Sequence, residues 1–220
     1  MSAPRKLRLG VLASGSGSNL QAIIDRCADS SIDAEIVLVL SNVPGAGALS
    51  RAEQAGIATA LIDHRTFADR TAFDQAVVHA LQAASVDLVV LAGFMRLISD
   101  PFIAAFPERI INIHPALLPA FPGLHVQKKA LEAGARFAGC SVHFVDGGVD
   151  TGPIIIQAVV PILDDDDEAS LSARILVQEH RVYPRAIQLI AEGRLRIEGR
   201  RVRIADAGAV DGVLVNPPLS

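Results

Sequence analysis

Four times before residue 107 the chain repeats one beat: a short apolar run, a turn, then apolar residues at helical spacing. Leu7 to Ala13 leads into Ser18 to Cys27, where Leu20, Ile23, Ile24 and Cys27 share a helical face. Ile36 to Leu40 leads into Leu49 to Ala55, Ala58 to Ile62 into Thr71 to Ala84, and Leu88 to Ala92 into Pro101 to Phe106. Strands alternating with helices are joined by right-handed crossovers, each of which lays a helix on a sheet face. The expected fold is α/β: an open, mostly parallel, Rossmann-like sheet with helices on both faces. The 220 residues can bury one sizeable core, so a single domain over 1–220 is expected, with its core at about 7–197.

After Ile110 to Ile113 the rhythm breaks. The stretch NIHPALLPAFPGLH places three prolines and a glycine where a helix is due, which predicts a shaped loop at the carboxyl end of a strand. Open α/β sheets bind ligands at that edge. Gly139 to Val145 and Ile154 to Val160 read as two more strands joined by the turn-rich DGGVDTGP. The acidic run Asp164 to Glu168 precedes a long amphipathic helix over Leu171 to Ile190, where carboxylates suit a helix start better than a metal. Leu195 to Ile197 and Val202 to Ile204 predict a small hairpin, followed by a loose tail; hairpin and tail together span 195–220.

Composition excludes several classes of function. A net charge of −4 provides no basic field for nucleic acid. Arg194, Arg196, Arg200 and Arg201 have no interleaved aromatics and read as a solvated hairpin surface. The longest apolar runs fall far short of the roughly 18 residues of a membrane span. Cys27 and Cys140 form no CxxC pair, which argues against zinc and a disulfide framework and for a reducing compartment. The N-terminus makes no signal-peptide hydrophobic region, so a cytoplasmic location is expected.

Three groups could carry chemistry. Ser14-Gly15-Ser16-Gly17-Ser18-Asn19 lies between the first strand and first helix, where backbone N–H groups can hold an anion. Leu20 replaces the third glycine of a dinucleotide fingerprint and no lysine follows as in a Walker loop, so a phosphate monoester is the better match. Taken alone, the segment favours phosphate over its alternative, a plain tight turn with a helix cap. Strand alternation puts Asn112 and His114 on one face at the sheet edge, although an isolated strand histidine is more often structural. Asp150 sits in a glycine-rich turn that would let backbone approach a ligand, or it could simply serve that turn. Acyl transfer to an amine needs oxyanion donors and a proton carrier, and Asn, His and Asp supply that set.

Five motifs in order carry a specific resemblance: SGSGSNLQAI from Ser14, LAGFMRLIS from Leu91, INIHPALLPAFPGLH from Ile111, GCSVHFVDGGVDTGPII from Gly139 and QEHRVYP from Gln178. From about Leu7 to about Ile197 the chain resembles the phosphoribosylglycinamide formyltransferase family, folate-dependent transformylases of purine synthesis. The resemblance implies that 10-formyltetrahydrofolate is the co-substrate and glycinamide ribonucleotide the acceptor, with no metal and with a monomer or homodimer. It implies substrate contacts at Gly17, Ser18, Asn19 and Glu179. The folate would lie against Arg70, Met95, Arg96, Leu97, Ile98, Asn112 and the loop Asp146, Gly147, Gly148, Val149, Asp150. Asn112, His114 and Asp150 match the catalytic trio, with His143 behind them. In the implied mechanism Asn112 and a protonated His114 stabilise an oxyanion while Asp150 keeps His114 charged and assists proton passage.

Two relatives within that superfamily are expected to differ in extent: methionyl-tRNA formyltransferases by an added basic C-terminal domain, formyltetrahydrofolate hydrolases by an N-terminal regulatory domain. Neither added domain is expected in this chain. A non-catalytic nucleotide-binding module would keep SGSGSN and have no use for the Asn, His and Asp set.

Overall fold

The computed structural model describes residues 5–208 together with 212, 214 and 216. Its described strands form one nine-stranded sheet in the order β3-β2-β1-β4-β5-β6-β7-β9-β8. The first five are β1 (Leu7–Leu12), β2 (Ala34–Ser41), β3 (Thr59–Leu61), β4 (Leu88–Leu91) and β5 (Ile110–His114). They are parallel to one another. β6 (Phe137–Phe144) runs antiparallel to both β5 and β7 (Ile154–Pro161). The predicted hairpin is β8 (Leu195–Glu198) and β9 (Arg201–Ile204), and it extends the sheet, because β9 pairs with β7.

Alternation along the strands divides the core between two faces. Leu9, Val11, Leu88, Val90, Ile111 and Ile113 pack toward α1 (Ser18–Ala28), α2 (Gly47–Gln54) and α6 (Glu168–Ala191). Leu12, Val89, Leu91 and Ile110 pack toward α3 (Arg70–Ala83) and α4 (Asp100–Ala105). The expected helices on both faces are thus present. Parallel strands covered on both sides need no polar alternation, which is why β4 reads simply as LVVL.

Two of the helix starts carry ordinary side-chain caps. Asp69 caps α3 by accepting from the Ala72 amide at 2.8 Å. Asp167 and Ser170 form a reciprocal capping box at α6. The acidic run is accounted for here: Asp167 is that cap, Asp166 pairs with Arg174 at 2.5 Å and Asp164 with Arg136 at 2.7 Å. Among the described residues no cluster of three or more His, Cys, Asp or Glu is placed to hold a metal. No described helix is long and apolar enough to cross a membrane.

The structure adds one helix to those expected from periodicity, α5 (Val126–Glu132), directly after the proline-rich loop. It is short and buries only Val126 and Ala130, too few apolar positions to show a helical period. The arginine-rich hairpin is a surface feature, with Arg196 and Arg203 both pairing with Glu198. Of the expected loose tail, most positions beyond 208 lie outside the described residues.

Candidate active site

Strand order reverses between β1 and β4, and the loops leaving these strands meet there. Ser14 donates its amide to the Gly93 carbonyl at 3.0 Å. Its hydroxyl accepts from the Met95 amide at 2.9 Å and donates to Asn42 Oδ1 at 2.6 Å. The segment proposed for phosphate is therefore tied to the segment proposed for folate. In open α/β sheets a ligand-binding crevice opens at such a switch point.

At the neighbouring edge β5 ends in Asn112 and His114, whose side chains share the face of Ile110. Asp150 reaches them from the β6–β7 connection. Its Oδ2 lies 3.4 Å from His114 Nδ1 and its Oδ1 3.4 Å from Asn112 Nδ2. The Gly123 amide donates to Oδ2 at 2.9 Å. His143, opposite Asn112 in the β5–β6 ladder, donates from Nδ1 to the Phe144 carbonyl at 2.8 Å. That turns its Nε2 toward Asn112 Nδ2 at 3.3 Å and Asp150 Oδ1 at 3.6 Å. The expected trio and its histidine neighbour therefore form one cluster, with Asp150 as hub.

Burial by itself would raise the Asp150 carboxyl. The His143 ring, the Gly123 amide and the positive potential of both histidines outweigh it, and the group is held below the usual carboxylate range. Asp150 also has φ 54°, a left-handed conformation that aspartate and asparagine tolerate better than most residues. Gly152 closes the same turn, where a Cβ would stand 1.8 Å from the Phe144 carbonyl oxygen.

His114 Nε2 does not face open space; it donates to the Phe121 carbonyl at 2.9 Å. The loop after β5 thus folds back over the histidine, through a left-handed Phe121 (φ 53°) and Gly123 (φ 82°). Beneath it, buried Ser141 donates to the Ala116 carbonyl at 2.7 Å and accepts from the Leu118 amide at 3.0 Å. Gln157 Nε2 donates to the Leu118 carbonyl and to Ser141 Oγ, both at 2.9 Å.

The other predicted contacts fall into three places. Gly17 is the left-handed N-cap of α1 (φ 76°), and a Cβ there would lie 2.7 Å from Ala48 Cα. No side chain caps this helix, so the first-turn amides of Ser18 and Asn19 remain available. Asn19 Nδ2 donates to Glu179 Oε2 at 2.7 Å, joining α1 to α6. Burial raises the Glu179 carboxyl against the opposing effect of that bond. Met95, Leu97 and Val149 expose apolar side chains, at 66%, 57% and 45%, on the loops after β4 and β6. Ile98 packs on the α3/α4 cluster. Asp146 shapes its own turn by accepting from the Gly148 amide at 3.1 Å and from Thr151 Oγ1 at 2.5 Å, and Gly147 approaches Asp100. Arg96 lies over the Phe73 ring at 5.3 Å. Arg70 stands exposed in the first turn of α3, and no described hydrogen bond or ion pair brings it to the cluster.

Sequence reasoning passed over Gly123, the Phe121 carbonyl, Ser141, Gln157, Ser14 as a bridge, and Asn42. The backbone groups carry no residue signal at all. Ser141 and Gln157 face one another across the β6–β7 ladder, and a polar pair inside two apolar strands was the available clue.

A switch-point crevice beside a part-buried His–Asp–Asn cluster is the arrangement of an α/β enzyme. Residues 7–187 match the formyl transferase family model, and the chain belongs to that family. It is 46% identical over 191 residues, 87% of this chain and 90% of the relative, to phosphoribosylglycinamide formyltransferase of Escherichia coli (strain K12). The solved glycinamide ribonucleotide transformylase 1 from Symbiobacterium toebii superposes with TM-score 0.91 at 55% identity, covering 93% of this chain and 96% of that one. A third similarity, 55% over 195 residues, is to the trifunctional purine biosynthetic protein adenosine-3 of Drosophila melanogaster. The match takes in 88% of this chain and only 14% of that relative.

Proposed function

We propose that this chain transfers the formyl group of 10-formyltetrahydrofolate to the amine of glycinamide ribonucleotide, giving formylglycinamide ribonucleotide and tetrahydrofolate. The carrying observation is the convergence of Asn112, His114 and Asp150 on one point of the crevice edge. The uncapped start of α1 and Glu179 lie on the other side of the switch point. In this reading the ribonucleotide phosphate sits on the amides of Ser18 and Asn19, with Gly17 permitting the turn and Glu179 holding the sugar end. The apolar rim of Met95, Leu97, Ile98 and Val149, with Arg70, Arg96 and the Asp146–Asp150 backbone, receives the folate.

The amine nitrogen attacks the formyl carbon and the carbonyl oxygen becomes an oxyanion. Asn112 Nδ2 donates to it, and His114 Nε2–H exchanges the Phe121 carbonyl for it. Asp150, facing Nδ1, orients the ring. The proton released by the attacking nitrogen passes through water beside Asp150 to the folate nitrogen, the carbon–nitrogen bond to folate breaks, and the formamide remains. His143 holds Asn112 and Asp150 in register. We place the enzyme in the cytoplasm, as one domain that works as a monomer or homodimer without nucleic acid or membrane partners; two unpaired cysteines and the net charge support that placement.

A spectrophotometric folate-deformylation assay with and without glycinamide ribonucleotide tests the reading. Signal only with the amine supports transfer, whereas signal without it means hydrolysis. His114→Ala and Asp150→Asn are expected to lower turnover roughly 10²- to 10⁴-fold. Asparagine suits position 150 because it tolerates the left-handed backbone, so the loss reports charge and not strain. Near wild-type turnover in either variant removes that residue from the trio.

A further inference from the structure

The buried face of α6 carries two polar side chains one helical turn apart, Glu179 and Tyr183. Tyr183 is the only tyrosine of the chain. It is fully buried, in the cluster that holds Val90, Ala92, Ile111 and Ile113, where a phenylalanine ring would serve as well. Its hydroxyl reaches the sheet and donates to the Leu91 carbonyl at 2.9 Å and the Ile111 carbonyl at 3.2 Å. A buried hydroxyl costs stability unless it is bonded, so what tyrosine adds here is its hold on those two oxygens.

Both oxygens bear on Asn112. The Ile111 carbonyl shares a planar peptide unit with the Asn112 nitrogen, so fixing that oxygen fixes the plane from which the Asn112 side chain departs. Leu91 is the register partner of Asn112, and the pairing of β4 with β5 ends at that rung. Beyond it the end of β4 stays with β1, since the Ala92 amide donates to the Leu12 carbonyl at 2.8 Å and the Gly93 carbonyl accepts from the Ser14 amide at 3.0 Å. The end of β5 stays with β6, where Ile113 pairs with Val142 and His114 with Ser141. The two strands therefore part at the level of the hydroxyl, and the crevice opens where they part. Asp150 and His143 hold Asn112 Nδ2 from the side-chain end, at 3.4 and 3.3 Å; Tyr183 holds the same residue from its backbone.

We infer that Tyr183 is a positioning residue for formyl transfer: its hydroxyl pins the parting ends of β4 and β5 and so sets where the Asn112 amide stands relative to the substrate held on α6. The inference rests on the function proposed above and deepens it, by naming a residue that orients the oxyanion donor without touching substrate. Burial holds the phenol well above its ordinary value, and the Glu179 carboxylate pushes the same way. The hydroxyl is therefore a constant donor at working pH and takes no part in moving protons.

Tyr183→Phe in the full-length chain removes the hydroxyl and keeps the ring. It is expected to lower kcat about 3- to 30-fold with KM for both substrates unchanged, because the Asn112 amide is misplaced only for the charge that develops on the formyl oxygen. A double-mutant cycle separates positioning from plain stability. In an Asn112→Ala background Tyr183→Phe should cost nothing further in kcat, whereas its lowering of Tm by about 2–4 °C should be the same in both backgrounds. Equal fold losses of kcat in both backgrounds, a loss confined to KM, or an unchanged kcat each overturns the inference. A second readout needs no transfer. The Asn112 side-chain amide resonance, assigned by its absence from Asn112→Ala, should shift in heteronuclear NMR spectra of ligand-free Tyr183→Phe while those of Asn42 and Asn216 stay in place. That shift supports the inference even if formyl transfer to glycinamide ribonucleotide fails, and an unmoved Asn112 resonance sinks it. Should Tyr183→Phe not fold, a ring-fluorinated tyrosine incorporated at this single position keeps the ring and makes the hydroxyl a stronger donor. Both kcat and the Asn112 resonance should then change, and constancy of either refutes the inference.

Discussion

Glu179→Gln should stabilise the protein while weakening substrate binding. The carboxylate is 7% exposed in the middle of α6 and has a single described partner, Asn19 Nδ2 at 2.7 Å. Desolvation raises its pKa above the ordinary 4.5. A group raised in this way favours the fold in its protonated form. That contribution is fully present below the unfolded value of about 4.5 and is lost as pH rises through the folded value. Glutamine has nearly the same helix propensity. Its carbonyl can keep the Asn19 bond, and its new amide can donate to Asn19 Oδ1, which is buried and unpartnered. One added hydrogen bond and a removed buried charge are together worth about 1–2 kcal/mol at neutral pH. For a chain of this size that raises Tm by about 2–8 °C. Calorimetric Tm values measured from pH 4 to pH 8 should nearly coincide at the acid end and separate in favour of the variant above it. KM for glycinamide ribonucleotide should rise about 10-fold or more. A variant less stable than wild type by the same margin at every pH would refute the reasoning, because the carboxylate would then be a structural partner that burial does not oppose.

Gly152→Ala places a methyl group against the Phe144 carbonyl oxygen, where only backbone can yield; a loss of about 1–3 kcal/mol in chemical denaturation should accompany a larger fall in kcat as the Asp150 turn moves. Asp167→Ala removes the capping box of α6 and should cost about 1 kcal/mol, with Michaelis constants unaltered and no response to added divalent ions. Asp150 is depressed below 3.8, so its contribution to stability is present above that value and lost as pH falls through the folded value. Acid unfolding followed by circular dichroism should therefore be steeper below pH 3.8 for wild type than for Asp150→Asn, and parallel curves would contradict the assignment.

The parallel half of the sheet was legible because its signals are local. A strand buried on both faces is largely apolar, and a crossover helix must repeat every 3.6 residues, so β1, β4 and β5 and α1, α3 and α6 are visible in the pattern of residues along the chain. Asn112 and His114 were legible for the same reason: alternation fixes a shared face once the strand is known. Tertiary structure decided what depends on contacts between distant segments. Nothing in DGGVDTGP states that Asp150 will lie 3.4 Å from His114, since that distance is set by the antiparallel pairing of β6 and by the left-handed turn after it. The same holds for the Phe121 carbonyl on His114 and for Glu179 against Asn19, 160 positions away in the chain. Side-chain periodicity is a property of one element. A site is a property of where several elements end, and only the packed sheet brings those ends together.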